Sequence, residues 1–268
     1  MRYLNWLITT ASLLVLQGCI AKGPDPRDPY EKINRKIYAF NVTFDKYLLK
    51  PPAEAYVKII PSRVRAGINN VYNNVNMLPT FANDVLQADL NSAIKDFWRF
   101  VANSTIGIGG IFDPASTFSL PPHSNDLGLT FAKWGDKNSP YIMIPFLGPS
   151  TIRDGMGLMF DCALFTPYPY IEPDALLFSI LGLRYVDLRS QMLDTDKLIS
   201  MSLDKYSFIR DAYLQHRNYL ITGESSKKAE DLYIDEDEDE IIPQEPENGT
   251  PSKFPLTTAS LELDFMTF

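Results

Sequence analysis

The chain has 268 residues, a formal net charge of −8 and two cysteines, a length that allows one large domain with its own core. The acidity is uneven: residues 223–268 hold 13 acidic and 3 basic residues, which leaves 20 acidic and 22 basic residues in 1–222. A near-neutral body of this kind argues against nucleic acid as a partner.

Arg2 precedes a mostly apolar stretch, Leu4 to Leu16. It is too short to span a bilayer, which takes roughly 20 apolar residues. Leu13-Leu14-Val15-Leu16-Gln17-Gly18-Cys19 then sets a small residue directly before a cysteine. This is the pattern of a bacterial lipoprotein signal. Residues 1–18 are expected to be the leader, Cys19 the lipidated residue and 19–26 a linker. Ile20, not Asp, follows the cysteine, which in Gram-negative sorting favours the outer membrane. Only Cys162 remains, so no internal disulfide is expected, and a lone thiol of this kind is usually buried and inert.

Asp28-Pro29-Tyr30-Glu31 predicts a helix start, with Asp28 capping and Glu31 completing a capping box. Tyr30, Ile33, Ile37, Phe40, Phe44 and Tyr47 recur at helical spacing and mark one face. Pro51-Pro52 should end that helix, and a short helical piece through Tyr56 and Ile60 should stop at Pro61. Ser62 opens another helix. Val64, Ile68, Val71 and Val75 lie on one side; Asn69, Asn70, Asn73, Asn74 and Asn76 form a polar face with almost no charge on the other. Pro79 predicts the start of a further helix through Leu86. Asn91 to Thr105 predicts one more, carrying Ile94, Phe97, Trp98 and Val101.

From Ile106 to Gly157 the chain is rich in Gly, Pro and aromatic residues, a composition that makes turns and irregular chain. Tyr141 to Leu183 is very apolar but is broken by Arg153, Asp154, Asp161, Glu172, Asp174 and several prolines. It therefore cannot be one spanning helix. It suits either a soluble core or a tethered body sitting partly in one leaflet. Two later helices are expected, near Arg184 to Ile199 and from Asp204 to Leu220. The second carries Tyr206, Ile209, Tyr213 and Leu220 on one face and Gly223 past its end. Strand alternation is nowhere sustained, so the body reads as mainly α. The tail, with acidic residues at every position from 235 to 240 and then Pro243, Pro246, Pro251 and Pro255, cannot bury enough apolar surface to fold, and disorder is expected.

Catalytic chemistry is hard to find. His123 and His216 have no metal-ligand spacing and read as surface or core residues. Gly148-Pro149-Ser150-Thr151-Ile152 fails as a nucleophile elbow. Gly107-Ile108-Gly109-Gly110 fails as a dinucleotide loop, because Phe112 stands where a third glycine is required. Turns or close helix contacts explain these glycines better. Arg153, Asp154 and Asp161 in an apolar setting read as paired structural charges. A non-enzymatic role is expected.

Asp28-Pro29-Tyr30-Glu31 with Asn34-Arg35, Tyr38, Phe40-Asn41 and Asp45 resembles the opening of the MlaA/VacJ lipoprotein family. So do Arg99-Phe100, Asn103 to Gly107, Gly110 and Asp113. Gly128, Trp134-Gly135, Pro140-Tyr141, Pro145, Gly148-Pro149-Ser150, Arg153-Asp154, Gly157 and Asp161 extend the likeness, as do Arg189 to Asp194, Arg210, Tyr213, Gln215 and Arg217. It spans about residues 27–220, and the family-like domain is set at 27–222, with the tail at 223–268 outside it. The resemblance implies a single ring-shaped helical domain with an amphipathic channel, partly embedded in the membrane. It implies an outer-membrane lipoprotein that removes phospholipid misplaced in the outer leaflet, sits beside a trimeric porin and hands lipid to the periplasmic carrier MlaC. No cofactor or metal is implied. Trp134, Gly135, Pro140, Tyr141, Pro145, Gly148 and Arg153 are the channel or hairpin candidates, within a hairpin expected over Trp134 to Pro149. Lys133, Lys137 and Arg153 could meet lipid head groups; surface solvation, or pairing of Arg153 with Asp154 or Asp161, explains them equally well. The alternative to transport is an adaptor lipoprotein acting through its acidic tail.

Overall fold

The computed structural model describes residues 23–223. The leader, Cys19 and the tail from residue 224 onward lie outside the described residues. Helix α1 (Glu31–Phe44) passes through a π-helical turn (Asp45–Leu49) into α2 (Lys50–Ile59). Pro51 and Pro52 therefore do not end a helix. They fill the first turn of α2, where a missing N–H forfeits no intrahelical bond. Helix α3 (Ser62–Leu86) holds Pro79 in its interior, so the two expected helices are one of 25 residues. Around the proline, the Thr80 hydroxyl donates to the Asn76 carbonyl at 2.9 Å and the Asn83 amide donates to the Pro79 carbonyl at 2.9 Å. Helix α4 (Leu90–Thr105) is capped by Asp89, which accepts from the Ser92 N–H, and pairs along α3.

The middle of the chain is built from turns and two short helices, α5 (Pro114–Thr117) and α6 (Leu127–Lys133), capped by Asp113 and Asp126. Strands β1 (Tyr141–Ile144) and β2 (Gly148–Thr151) pair antiparallel, with Tyr141 opposite Thr151 and Ile144 opposite Gly148. The hairpin thus begins at Tyr141, not Trp134, and leads straight into α7 (Ile152–Leu164). The expected helix near Arg184 to Ile199 is two helices, α8 (Asp174–Gln191) and α9 (Thr195–Met201). Helix α10 (Lys205–Thr222) keeps its expected ends. Asp204 accepts from the Tyr206 and Ser207 N–H groups, and Gly223 closes it at φ 70°.

Burial runs against the usual order. Ile33, Phe40 and Tyr47 of the first helical stretch are exposed, and so are Ile94, Phe97 and Trp98 of α4. The buried positions are mostly polar or charged, among them Asn83, Asp84, Asp96, Arg153, Asp161 and Asp187. Among the described residues, a compact apolar cluster is formed by Tyr141, Met143, Tyr206 and Tyr213, with Ile37, Tyr38 and Leu214 against it.

Asp28 is tied to that cluster through the Tyr206 hydroxyl and does not cap α1. The cap position is Tyr30, without a side-chain bond. Asp28 is fully buried, accepts from Asn34 Nδ2 at 2.7 Å and from the Tyr206 hydroxyl, and lies 3.5 Å from Arg210. Glu31 instead pairs with Arg35. The buried face of α10 is Tyr206, Arg210, Tyr213 and Arg217; Leu220 is exposed. Among the described residues no helix is long and apolar enough to cross a membrane.

Candidate functional site

Four asparagines of α3, Asn70, Asn73, Asn74 and Asn76, turn one side of the helix into the wall of a cavity of about 720 Å³. Arg99 and Asn103 of α4, the loop from Pro122 to Asp126, Leu129 and Lys133 of α6, and Tyr213, His216 and Arg217 of α10 complete the lining. Exposed apolar residues stand elsewhere on these helices, among them Val64 of α3 and Ile94 and Trp98 of α4. Neutral amides offer donors and acceptors without a fixed charge, so such a wall can solvate a polar group of either sign.

The cavity is framed by buried ion pairs. Arg217 donates to Asp126 at 2.6 and 3.0 Å and to Asp154 at 2.8 Å, tying α10 to α6 and α7. Asp154 also accepts from Arg153 Nε at 2.9 Å and the Tyr213 hydroxyl at 2.6 Å. Burial pushes the Asp154 carboxyl up, but Arg217 and Arg153 outweigh it and hold the group below the usual carboxylate range. The crossing of α6 and α7 is close. A Cβ on Gly157 would come within 2.5 Å of the Gly128 nitrogen, so only glycine fits there. On the far wall Arg99 pairs with Asp113 at 2.6 Å and binds the Leu120 carbonyl, which fixes the chain after α5. Arg184 donates to Asn69 at 2.8 Å and Asn73 at 3.4 Å, which orients the asparagine face.

A smaller enclosed space, about 50 Å³, adjoins the cavity through Asn76, Thr80, Asn125 and Asp126 and is lined on the hairpin side by Ile144, Leu147, Pro149 and Ser150. Asp161 lines it too. Its carboxylate accepts from the Leu127 N–H and from Asn83 Nδ2, both at 2.8 Å, and burial pushes its pKa up to about 6 against those bonds.

The residues singled out from sequence fall into several settings. Trp134 is exposed and lies against Phe131. Gly135 and Gly148 have φ of 131° and 99°, conformations that disfavour any side chain, with open space where a Cβ would sit. The Pro140 carbonyl accepts from the Ile152 N–H, Tyr141 is in the apolar cluster, and Pro145 is in the hairpin turn. Arg153 is buried, pairs with Asp154 and donates to the Asp136 carbonyl at 2.8 Å. None of these seven lines the large cavity, whereas Lys133 and Lys137 do. Sequence reasoning noticed the asparagine face without giving it a role. Arg99, Asp154 and Arg217 are among the family-like residues of the sequence, and Asp154 reads there as a structural charge; Asp126, which joins them in the frame, has no such signal. Cys162 is half-buried, and burial raises its thiol pKa.

The chain is similar to known proteins. A lipoprotein MlaA of the intermembrane phospholipid transport system in Shigella flexneri is 32% identical over 227 residues, covering 81% of this chain and 88% of that protein. The MlaA of Escherichia coli K12 matches over the same shares. A protein of Rickettsia bellii is 35% identical over 191 residues, 71% of this chain and 75% of its own. A solved structure, from work on the structural basis for maintenance of bacterial outer membrane lipid asymmetry, superposes with a TM-score of 0.63 at 31% identity, covering 73% of this chain and 99% of that one. Residues 26–220 match the MlaA lipoprotein model, nearly the whole described body, and the chain belongs to that family.

Proposed function

We propose that this protein is a lipid-transport lipoprotein, held by lipidated Cys19 at the periplasmic face of the outer membrane. It withdraws phospholipid misplaced in the outer leaflet and passes it to the periplasmic carrier MlaC, working beside a trimeric porin. One observation carries the reading: an amphipathic cavity with an asparagine wall, between helices that also expose apolar residues. A phospholipid head group is expensive to draw through hydrocarbon, because its charge and hydrogen bonds lose their solvation. The asparagine wall replaces that solvation for the head group, while the exposed apolar faces sit among acyl chains. Lys133 and Lys137, both on the lining, meet the phosphate. The hairpin, which lines the smaller adjoining space and carries Gly148 at φ 99°, acts as a wall that shifts as lipid passes. The reaction breaks no covalent bond, so no nucleophile and base are called for.

The test is a strain lacking the gene, complemented with the wild-type chain or with a Lys133→Glu/Lys137→Glu variant. The wild type should restore low surface-exposed phospholipid and detergent resistance. The variant, at equal protein level, should leave outer-leaflet phospholipid raised. Full complementation by the variant would remove the head-group role of these lysines. A deletion strain with normal asymmetry would overturn the transport reading itself.

A further inference from the structure

Apart from the ion-pair frame, three ligand-type side chains meet at one corner of the cavity. Asp84, near the end of α3, and Asp96, on α4, are buried, and His123, in the loop that follows α5, is half-exposed and lines the cavity. His123 Nδ1 lies 2.7 Å from Asp96 Oδ2 and 3.7 Å from Asp84 Oδ2, and one donor atom from each residue falls within 4.8 Å of the others. Asp84 Oδ2 is buried and has no hydrogen-bond partner, so a fully enclosed carboxylate oxygen points into the cluster unsatisfied. Leaving such an atom bare is costly.

We propose that Asp84, Asp96 and His123 form a divalent transition-metal site, of the kind that takes Zn²⁺, on the cavity wall. One imidazole nitrogen and two carboxylate oxygens are a common zinc donor set, and bonds of about 2.0–2.2 Å in a tetrahedron put donor atoms roughly 3.3–3.5 Å apart. The two donor separations at His123, 2.7 and 3.7 Å, bracket that edge, and the third separation lies within 4.8 Å. The ion would satisfy Asp84 Oδ2. A supporting bond already exists: Asn125 Nδ2 donates to Asp84 Oδ1 at 2.7 Å, fixing the carboxylate as outer partners of metal ligands do. Approach is from the cavity, because His123 alone of the three is exposed. Three protein donors leave a fourth position for water or another oxygen ligand. Binding would release the protons held among these groups and would pin the 119–126 loop to α3 and α4.

The test uses the full-length lipoprotein purified in detergent, stripped with chelator, and titrated calorimetrically with ZnCl₂ alone. One equivalent should bind with a raised melting temperature. Affinity should fall at least ten-fold in both Asp96→Asn and His123→Gln. Co²⁺ in the wild type should give the intense visible bands of a four-coordinate N/O site. His123 sits in a half-exposed loop, so His123→Gln keeps the fold and decides the matter if Asp96→Asn does not. The site is refuted if the wild type takes up no zinc, if His123→Gln binds zinc as the wild type does, or if Co²⁺ gives only the weak bands of a six-coordinate aquo ion.

Discussion

The seam between α10 and the α6–α7 pair and the outer side of α3 and α4 reverse the usual roles of polar and apolar residues. At the seam, Arg217, Asp126, Asp154, Arg153 and Tyr213 are buried and tied to one another. On the outer side, Val64, Ile94, Phe97 and Trp98 stand exposed. A water-soluble domain gains most of its stability by hiding such apolar residues. Here the fold is specified by directional charge pairs, and the apolar surface is left for a surrounding medium to cover. Exposed apolar area on this scale marks a membrane or protein contact. In α4 the spacing marks a real apolar face, and that face is the exposed one.

Removing a charge from the seam should have the largest effect. Arg217→Met strands Asp126 and Asp154, and breaking a buried pair from one side costs about 3–5 kcal/mol. Chemical denaturation in detergent should show a loss of that order. A loss below 1 kcal/mol would mean the seam is solvated and the contrast with the outer side is false.

Acid should act on the seam and not on the outer face. Asp161 titrates near 6 in the folded chain against an ordinary 3.8. Its folded pKa is raised, so its contribution is fully present below pH 3.8 and is lost as the pH climbs through 6. The span corresponds to up to about 3 kcal/mol. Melting temperatures of the wild type should therefore fall between pH 4 and 6.5 more steeply than those of Asp161→Asn. Parallel profiles would show that Asp161 stays ionised throughout.

The hairpin lies between the two regions in expected effect. Gly148→Val forces a branched side chain to φ 99°, a backbone cost of about 1–3 kcal/mol, with no added clash because the space is open. Membrane level should stay close to normal while outer-leaflet phospholipid rises. A variant that keeps wild-type asymmetry would reduce the hairpin to a connection. Smallest of all, Ile94→Asn with Trp98→Asn should change stability in detergent by less than about 0.5 kcal/mol, yet weaken partition into liposomes. Marked unfolding would show that these residues do pack inward.

Much of the fold was legible. Asp204 and Gly223 delimit α10 because both act locally, through a side-chain cap and a left-handed residue. The mainly α class followed from the lack of alternation. What failed was decided at long range. Asp28 reads as a cap, yet Tyr206 and Arg210, far along the chain, draw it inward. Pro79 reads as a boundary, but α4 runs alongside α3 and the helix continues through it. The frame of the site was illegible for the same reason. Asp126, Asp154 and Arg217 come from three helices, and no spacing links them. His123 looked isolated because its partners lie on α3 and α4.

The central claim is that lipid head groups travel through the asparagine-walled cavity while acyl chains stay at the outer faces. A photo-reactive lysine analogue in place of Lys133, inside the cavity, can be compared in intact cells with a photo-reactive residue in place of Trp98, on the outside. Mass spectrometry of the adducts then locates each contact. The account predicts phospholipid captured at both positions, through head-group atoms at Lys133 and through acyl carbons at Trp98. Capture at Trp98 with none at Lys133 would contradict it, since the lipid would then pass around the protein and not through it.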